Sequence, residues 1–195
     1  MNDQNKKNIR AFIAFELSSI VKRDFENIIG ELKKSGADVK WVEPRNAHIT
    51  LKFLGSVPVE NISKINSVLK KIADSTKEFK VVLNGVGVFP KWEKIKIIWV
   101  GVENGSEELK NIAIKMERAM SELGFSKETK TFSLHITIGR VRSLKNKNKL
   151  KDIAVSLTRP PLEIKFFEII LFESTLFSNG PVYTVIERFP LAAEK

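Results

Sequence analysis

The sequence predicts an α+β fold of two similar α/β lobes, with antiparallel-rich sheets and a central cleft between the lobes. Strand, helix and strand patterns occur in that order twice, with extra hairpins, instead of alternating throughout as in a doubly wound parallel sheet. Each repeat also contains one strand with the same four-residue frame, at residues 48–51 (HITL) and 135–138 (HITI). The chain has 195 residues, is 43 % hydrophobic and shows no low-complexity linker, so we expect one bilobal domain over residues 1–195.

The first half of the chain predicts three strands and two helices. Residues 10–15 (RAFIAF) form a buried strand, and residues 39–42 are extended. The turn at 44–46 leads into the first histidine strand, which Gly55 is expected to end. A helix that ends near Gly36 is predicted by apolar residues at three- and four-residue spacing: Val21, Phe25, Ile28 and Leu32. The second helix has the apolar face Ile62, Ile65, Leu69 and Ile72.

Two strands and a third helix follow before the second histidine strand. The strands are predicted at residues 79–88 and 95–102, joined through residues 89–92. Ser106 is the expected N-cap of the helix, two glutamates in the first turn suit the helix dipole, and Gly124 ends the helix. Its apolar face is Leu109, Ile112, Met116 and Leu123.

The end of the chain predicts a basic segment and a hairpin. Strands are expected at residues 164–172 and 182–189, with 179–181 (NGP) as the turn between them. Lysines alternate with polar residues just after the second histidine strand, which indicates a flexible basic loop or a frayed helix start: Lys145, Lys147, Lys149 and Lys151.

The composition limits the possible sites and partners. Because the chain has no cysteine, it cannot form a disulfide, a thiolate zinc site or a cysteine nucleophile. Residues 1–8 are polar, are expected to form a flexible tail and lack the apolar run of a secretory signal, so we expect a cytoplasmic protein without a membrane partner. The net charge of +10 favours polyanionic partners such as nucleic acids, although solvated lysine-rich surfaces are an equally common explanation. No feature indicates an obligate protein partner.

The two histidine frames are the main functional signal, and no third histidine exists. Side chains alternate between the faces of a strand, so His48 and Thr50 share one face, as do His135 and Thr137. If these faces meet across the cleft, they form a two-histidine acid–base site. A lone histidine on a strand is usually structural, so the duplication carries the signal.

Other catalytic sites fit the sequence less well. Two histidines without a third nitrogen, a carboxylate cluster or a thiolate make a poor metal site, so no metal or other cofactor is expected. No G-x-S-x-G nucleophile elbow is present. Two imidazoles with pKa values near ~6.5 suit phosphodiester chemistry, since one can activate the attacking oxygen and the other can protonate the departing one.

Further side chains are candidates for phosphate or RNA contacts. Thr50 and Thr137 can donate to non-bridging phosphate oxygens, with ordinary β-propensity as the alternative explanation. Arg140 can clamp phosphate, but strict alternation places it opposite the histidine unless Gly139 bulges the strand. Lys52 shares the parity of Thr50. Possible base-stacking aromatics, for which core packing is the more common role, are Trp41, Phe53, Trp92 and Phe132.

Several segments together resemble one known family. They are RAFIAFEL (10–17), VKWVEPRNAHITLKFLG (39–55), GVGVFP (85–90), IIWVGV (97–102), SLHITIGR (133–140) and FESTLFSNGPVYTVIERFPL (172–191). These residues are similar to the RNA 2',3'-cyclic phosphodiesterase family, also called 2'-5' RNA ligases, within the two-histidine (2H) phosphoesterase superfamily. The resemblance implies a 2H phosphoesterase-like fold whose two lobes have pseudo-two-fold symmetry and whose histidine motifs line a central active-site groove.

The resemblance also implies a reaction. The family opens a terminal 2',3'-cyclic phosphate on RNA to a 2'-phosphomonoester without a metal, and an RNA 5'-hydroxyl in place of water gives a 2'-5' linkage. His48 would be the proton donor to the leaving 3' oxygen, and His135 the proton acceptor that activates water. Thr50, Thr137 and Arg140 would hold the phosphate.

One departure from the family is visible. The family commonly has a Pro-Arg pair where this chain has Ile95-Lys96, which keeps the positive charge but loses the guanidinium fork. Lys96, together with Lys52 and Phe132, is a possible RNA contact. Two alternatives remain open: a phosphodiesterase for another small cyclic phosphate, and a non-catalytic protein that binds RNA ends.

Overall fold

The computed structural model describes residues 7–103, 105–127, 135–178 and 180–193. The elements of the first half are β1 (Asn8–Glu16), α1 (Ser19–Lys33), β2 (Val39–Trp41), β3 (His48–Pro58), α2 (Ile62–Asp74) and β4 (Phe79–Phe89). Those of the second half are β5 (Ile97–Val102), α3 (Ser106–Glu122), β6 (His135–Val141), α4 (Lys147–Ser156), β7 (Leu162–Phe166), β8 (Glu168–Phe177) and β9 (Gly180–Pro190). No described helix is long and apolar enough to span a bilayer.

The strands form two antiparallel sheets. The first has the order β3-β1-β8-β9 and the second the order β2-β6-β5-β4-β7. The chain crosses between the sheets after β1, β2, β3 and β7, so each sheet contains strands from both halves of the sequence. The predicted α+β class, with two lobes and antiparallel sheets, is confirmed.

The core lies where the helices pack on the sheets. The apolar stripe of α1 is buried and joins the same cluster as one face of β1, on which Ile13 and Phe15 are fully buried. The other face of β1 presents Phe12 and Ala14 to a smaller apolar cluster that includes Phe172. Because strand side chains alternate, the first sheet has one face for the helices and one for the groove described below.

Two predicted strand ends were wrong. The segment 164–172 is not one strand, because the chain leaves the second sheet at Phe166 and enters the first at Glu168. Gly55 does not end β3, which continues to Pro58. Gly55 has a φ of 71° and lies opposite Ala11 beside the unpaired Leu54, so it forms part of a β-bulge.

Two predictions around the helices also need correction. Helix α3 begins at Ser106, and its N-cap is Gly105 with a φ of 75°. A Cβ at Gly105 would lie 2.3 Å from the carbonyl oxygen of Lys80, so the site has room only for glycine. The basic segment continues into α4, which is held to the core by Leu150 and Ala154.

The predicted tail at residues 1–8 overlaps the sheet. Residues 1–6 lie outside the described residues, and Asn8 is the first residue of β1, where it pairs with Pro58. The start of the first sheet is therefore two residues earlier than the apolar run at residues 10–15 suggests.

Candidate active site

The two histidine strands, β3 and β6, lie close to each other where the two sheets meet. Together they line a groove between the sheets. The groove has a volume of about 1790 Å³ and is lined by both histidines and both threonines of the two frames: His48, Thr50, His135 and Thr137. The structure thus brings the two frames into one solvent-accessible space, from one edge strand of the first sheet and one inner strand of the second.

A β-bulge interrupts β3 directly after its frame. Thr50 pairs with Ala14 and Lys52 pairs with Ile13, which leaves Leu51 without a partner. Residues on either side of a bulge no longer follow simple alternation. As a result Lys52 points to the same side as Ile13, and Phe53 returns to the face of the histidine.

The placement of Lys52 beside Thr50 is therefore wrong. Lys52 is 2 % exposed, and its ammonium donates to both carboxylate oxygens of Glu117 on α3 at 2.8 Å. It also donates to the carbonyl oxygen of Ser126 at 2.6 Å. Lys52 and Glu117 both line the groove, but these three hydrogen bonds use all the N–H donors of the ammonium. Lys52 therefore anchors α3 to β3 and has no donor left for RNA.

Strand β6 has a matching bulge. Thr137 pairs with Trp99 and Gly139 pairs with Ile98, which leaves Ile138 without a partner. Arg140 pairs with Ile97, two residues from Trp99, so it shares the face of Thr137 and lines the groove. The bulge that the sequence allowed near Gly139 exists, and it brings the guanidinium to the histidine side.

Gly139 is required by the neighbouring strand. A Cβ at this position would lie 2.8 Å from Val39 and 3.1 Å from the ring of Trp41. The residue after each bulge is thus buried, as Lys52 in β3 and Gly139 in β6. The next residue is exposed in the groove, as Phe53 and Arg140.

Each imidazole lies between two aromatic rings. His48 contacts Phe12 at 4.8 Å between ring centroids and Tyr183 at 5.2 Å, the latter edge-on. His135 contacts Phe89 edge-on at 4.9 Å, with the ring of Trp99 at 6.5 Å. Such contacts restrict the orientation of both imidazoles.

A backbone hydrogen bond fixes His48 further. Its Nδ1 donates to the carbonyl oxygen of Asn46 at 2.7 Å, which leaves Nε2 as the ring nitrogen for a bound molecule. Burial lowers the pKa of His48 below its ordinary value, the Asn46 carbonyl raises it in part, and the charge of Lys22 lowers it further. The Asn46 carbonyl favours the imidazolium, as a proton donor requires.

Residues that the sequence analysis did not identify also belong to the site. Tyr183 of β9 and Asn46 both line the groove, and the Asn46 amide donates to the carbonyl oxygen of Pro181 at 3.0 Å. Tyr183 is the only tyrosine of the chain and follows the Gly180-Pro181 turn, which is the signal that could have indicated it. Strand alternation alone does not show that β9 lies over the groove.

The remaining candidates divide between the groove and other positions. Phe53 is 60 % exposed and lines the groove, Trp41 lines it half-buried, and Trp92 packs against the core. Lys96 is exposed and is not one of the described residues that line the groove. Phe132 lies outside the described residues.

The groove is predominantly cationic. Four of its basic side chains have no acidic partner within the described part of the chain: Lys40, Arg45, Lys127 and Arg140. Across the same residues, no three or more histidine, aspartate or glutamate side chains cluster as metal ligands. The site can therefore attract an anion and transfer protons with its two imidazoles.

Comparisons with known proteins agree with this geometry. The family model "LigT like Phosphoesterase" matches residues 16–99 and again 100–183. The RNA 2',3'-cyclic phosphodiesterase of Methanothermobacter thermautotrophicus is 33 % identical over 184 residues, covering 94 % of this chain and 99 % of the relative. The protein of that name from Aquifex aeolicus is 35 % identical over 188 residues, covering 95 % of this chain and 98 % of its own.

Solved structures show the same fold. The crystal structure of TT0787 of Thermus thermophilus has a TM-score of 0.78 at 26 % identity and covers 96 % of this chain and 100 % of its own. The E. coli LigT structure complexed with 3'-AMP has a TM-score of 0.72 at 23 % identity, covering 94 % of this chain and 98 % of its own.

Proposed function

Because the chain belongs to the LigT-like phosphoesterase family, we propose that it hydrolyses RNA 2',3'-cyclic phosphate ends to 2'-phosphomonoesters, without a metal. The observation that carries the proposal is the position of His48 and His135 in one cationic groove. The names of the relatives support the choice of substrate.

The proposed reaction divides proton transfer between the two histidines. His135 accepts a proton from water, and the water oxygen forms a new bond to phosphorus. The bond between phosphorus and the 3' oxygen breaks, and His48 Nε2–H gives its proton to that oxygen. The product carries a 2'-phosphate and a 3'-hydroxyl, so atoms and charge balance without a further reactant.

Three side chains are proposed to hold the phosphate during this reaction. The hydroxyls of Thr50 and Thr137 donate to the non-bridging oxygens from opposite walls of the groove. Arg140 adds a guanidinium, whose planar fork can donate two parallel hydrogen bonds to phosphate. An anion bound here also favours the protonated form of His48, which offsets the effect of burial on its pKa.

The same groups can act on a 5'-hydroxyl of RNA in place of water. His135 would then accept the proton of that hydroxyl, and the product would contain a 2'-5' phosphodiester. We propose this ligation as a secondary activity, because it needs no residue beyond those used for hydrolysis.

The test is an end-group assay on an oligoribonucleotide that bears a 2',3'-cyclic phosphate, with a chelator present. We expect a 2'-phosphate product, and a fall in kcat of ~10²–10⁴-fold in each of His48→Ala and His135→Ala. Thr184→Val is the control, since Thr184 is exposed on β9 on the strand side opposite Tyr183.

Several results would contradict the proposal. Turnover by either alanine variant at the parent rate would remove its histidine from the mechanism, and loss of activity with chelator would indicate a metal. Faster hydrolysis of a small cyclic nucleotide than of RNA would point to a different cyclic phosphate. RNA binding without turnover would indicate a protein that only binds RNA ends.

A further inference from the structure

Tyr183 lines the groove beside His48. It lies on β9 opposite Ser174, on the sheet face that also carries Phe12. Its ring meets the rings of His48 and Phe12 edge-on, with interplanar angles of 86° and 70°. Its ring is therefore already occupied by protein contacts, which leaves the hydroxyl as the part that can meet a ligand.

Asn46 ties this part of β9 to the first histidine strand. The Asn46 side chain donates to the Pro181 carbonyl, two residues before Tyr183, while the Asn46 carbonyl accepts from His48 Nδ1. One residue thus sets the position of the imidazole and of the strand that carries the tyrosine.

Tyr183 and Arg140 both line the groove. Burial raises the pKa of Tyr183, and the positive charge of Arg140 on β6 acts on it in the opposite direction. At neutral pH the hydroxyl is therefore protonated and can donate a hydrogen bond. A hydroxyl donor that shares the groove with an imidazole and a guanidinium can bind an anionic oxygen together with them.

We propose that Tyr183 contacts the substrate directly: its hydroxyl donates a hydrogen bond to a phosphate oxygen held by Arg140, and its ring holds His48 in position. This inference rests on the proposed function, because it assigns a further residue to the same site. Tyr183 moves no proton in this role; it binds the anion and orients the proton donor.

The experiment separates the two parts of the side chain. Tyr183→Phe removes only the hydroxyl, and we expect kcat/KM on the cyclic-phosphate oligoribonucleotide to fall ~10–100-fold, the usual effect of losing a hydrogen bond to a charged group. The pH profile should not move, since the ring still covers His48. Tyr183→Leu should also raise the pKa of His48, measured by NMR titration, because His48 becomes more exposed. Thr184→Val, which removes the neighbouring hydroxyl, should match the parent.

Equal kcat/KM for Tyr183→Phe and the parent would overturn the inference. If the parent does not hydrolyse cyclic ends, the proposed function fails. The contact between the Tyr183 hydroxyl and a phosphate oxygen is then tested by the affinity for adenosine 2'-monophosphate, measured by calorimetry. Affinity at least tenfold weaker in Tyr183→Phe supports the contact, and unchanged affinity overturns it. Absence of binding by the parent overturns both proposals.

Discussion

Loss of the Glu117 carboxylate should destabilise the fold more than loss of the Lys52 ammonium. The Lys52 side chain is 1 % exposed, whereas the Glu117 side chain is 28 % exposed. In Glu117→Ala the ammonium stays buried and, of the hydrogen bonds described above, keeps the one to the Ser126 carbonyl. In Lys52→Met the apolar stem is kept, and the carboxylate left behind can reach water.

The magnitudes follow from what each change leaves unpaired. Removing one partner of a buried ion pair typically costs ~3–5 kcal/mol, and partial exposure of Glu117 together with the remaining carbonyl lowers this to about 2–4 kcal/mol for Glu117→Ala. Lys52→Met should cost about 1–2 kcal/mol, the range for lost hydrogen bonds to a group that can be rehydrated. For a chain of this length, about 3 kcal/mol corresponds to a Tm lower by roughly 6–12 °C.

The assay is urea unfolding followed by tryptophan fluorescence, with the midpoint compared at constant m-value. Lys70→Met is the control, because the Lys70–Asp74 pair on α2 is 70 % and 58 % exposed and should contribute less than about 1 kcal/mol. Lys52→Met should retain the parent KM for RNA. A normal midpoint with a tenfold higher KM would show that the Lys52 ammonium contacts RNA and would refute its assignment to a structural ion pair with Glu117.

Two further predictions concern the reaction. The pKa of His48, measured by NMR titration of its ring protons, should lie below the ordinary histidine value of ~6.5, because burial disfavours the imidazolium, and raising the pH through that pKa removes the proton that His48 donates; a pKa above the ordinary value would contradict the buried placement of His48. Arg140→Lys should lower kcat/KM about tenfold while the Tm stays unchanged, because the charge remains but the bidentate hydrogen bonding to phosphate is lost. Kinetics equal to those of the parent would show that Arg140 does not hold the phosphate.

Local periodicity predicted much of the fold. The apolar stripe that includes Phe25 and Leu32 predicted α1, because it depends only on residues three or four apart. The paired histidine frames predicted both histidine strands, because they depend only on the alternation of neighbouring residues. The crossover at Phe167 was not predictable in this way, since residues 164–172 form a nearly continuous apolar run while the hydrogen-bond partners change from one sheet to the other.

The candidate site was predictable in its centre and less so at its rim. His48 and His135 could be identified because the motif is repeated, whereas the positions of Lys52 and Arg140 depended on bulges at Leu51 and Ile138. A bulge is set by pairing with a distant strand, so the frame alone does not reveal where alternation resets. Tyr183 could not be predicted as a site residue without the position of β9, which is a long-range property of the sheet.

The matching bulges have a consequence for the direction of binding. Both bulges place the sixth residue, counted from the histidine, at the groove, and this residue differs between the two repeats. One wall presents the benzene ring of Phe53, and the other presents the cation of Arg140. A duplicated backbone thereby acquires unlike walls. In the proposed reaction a nucleotide end would enter it in one favourable orientation, and the two imidazoles would then face chemically different oxygens, so their tasks would not be interchangeable.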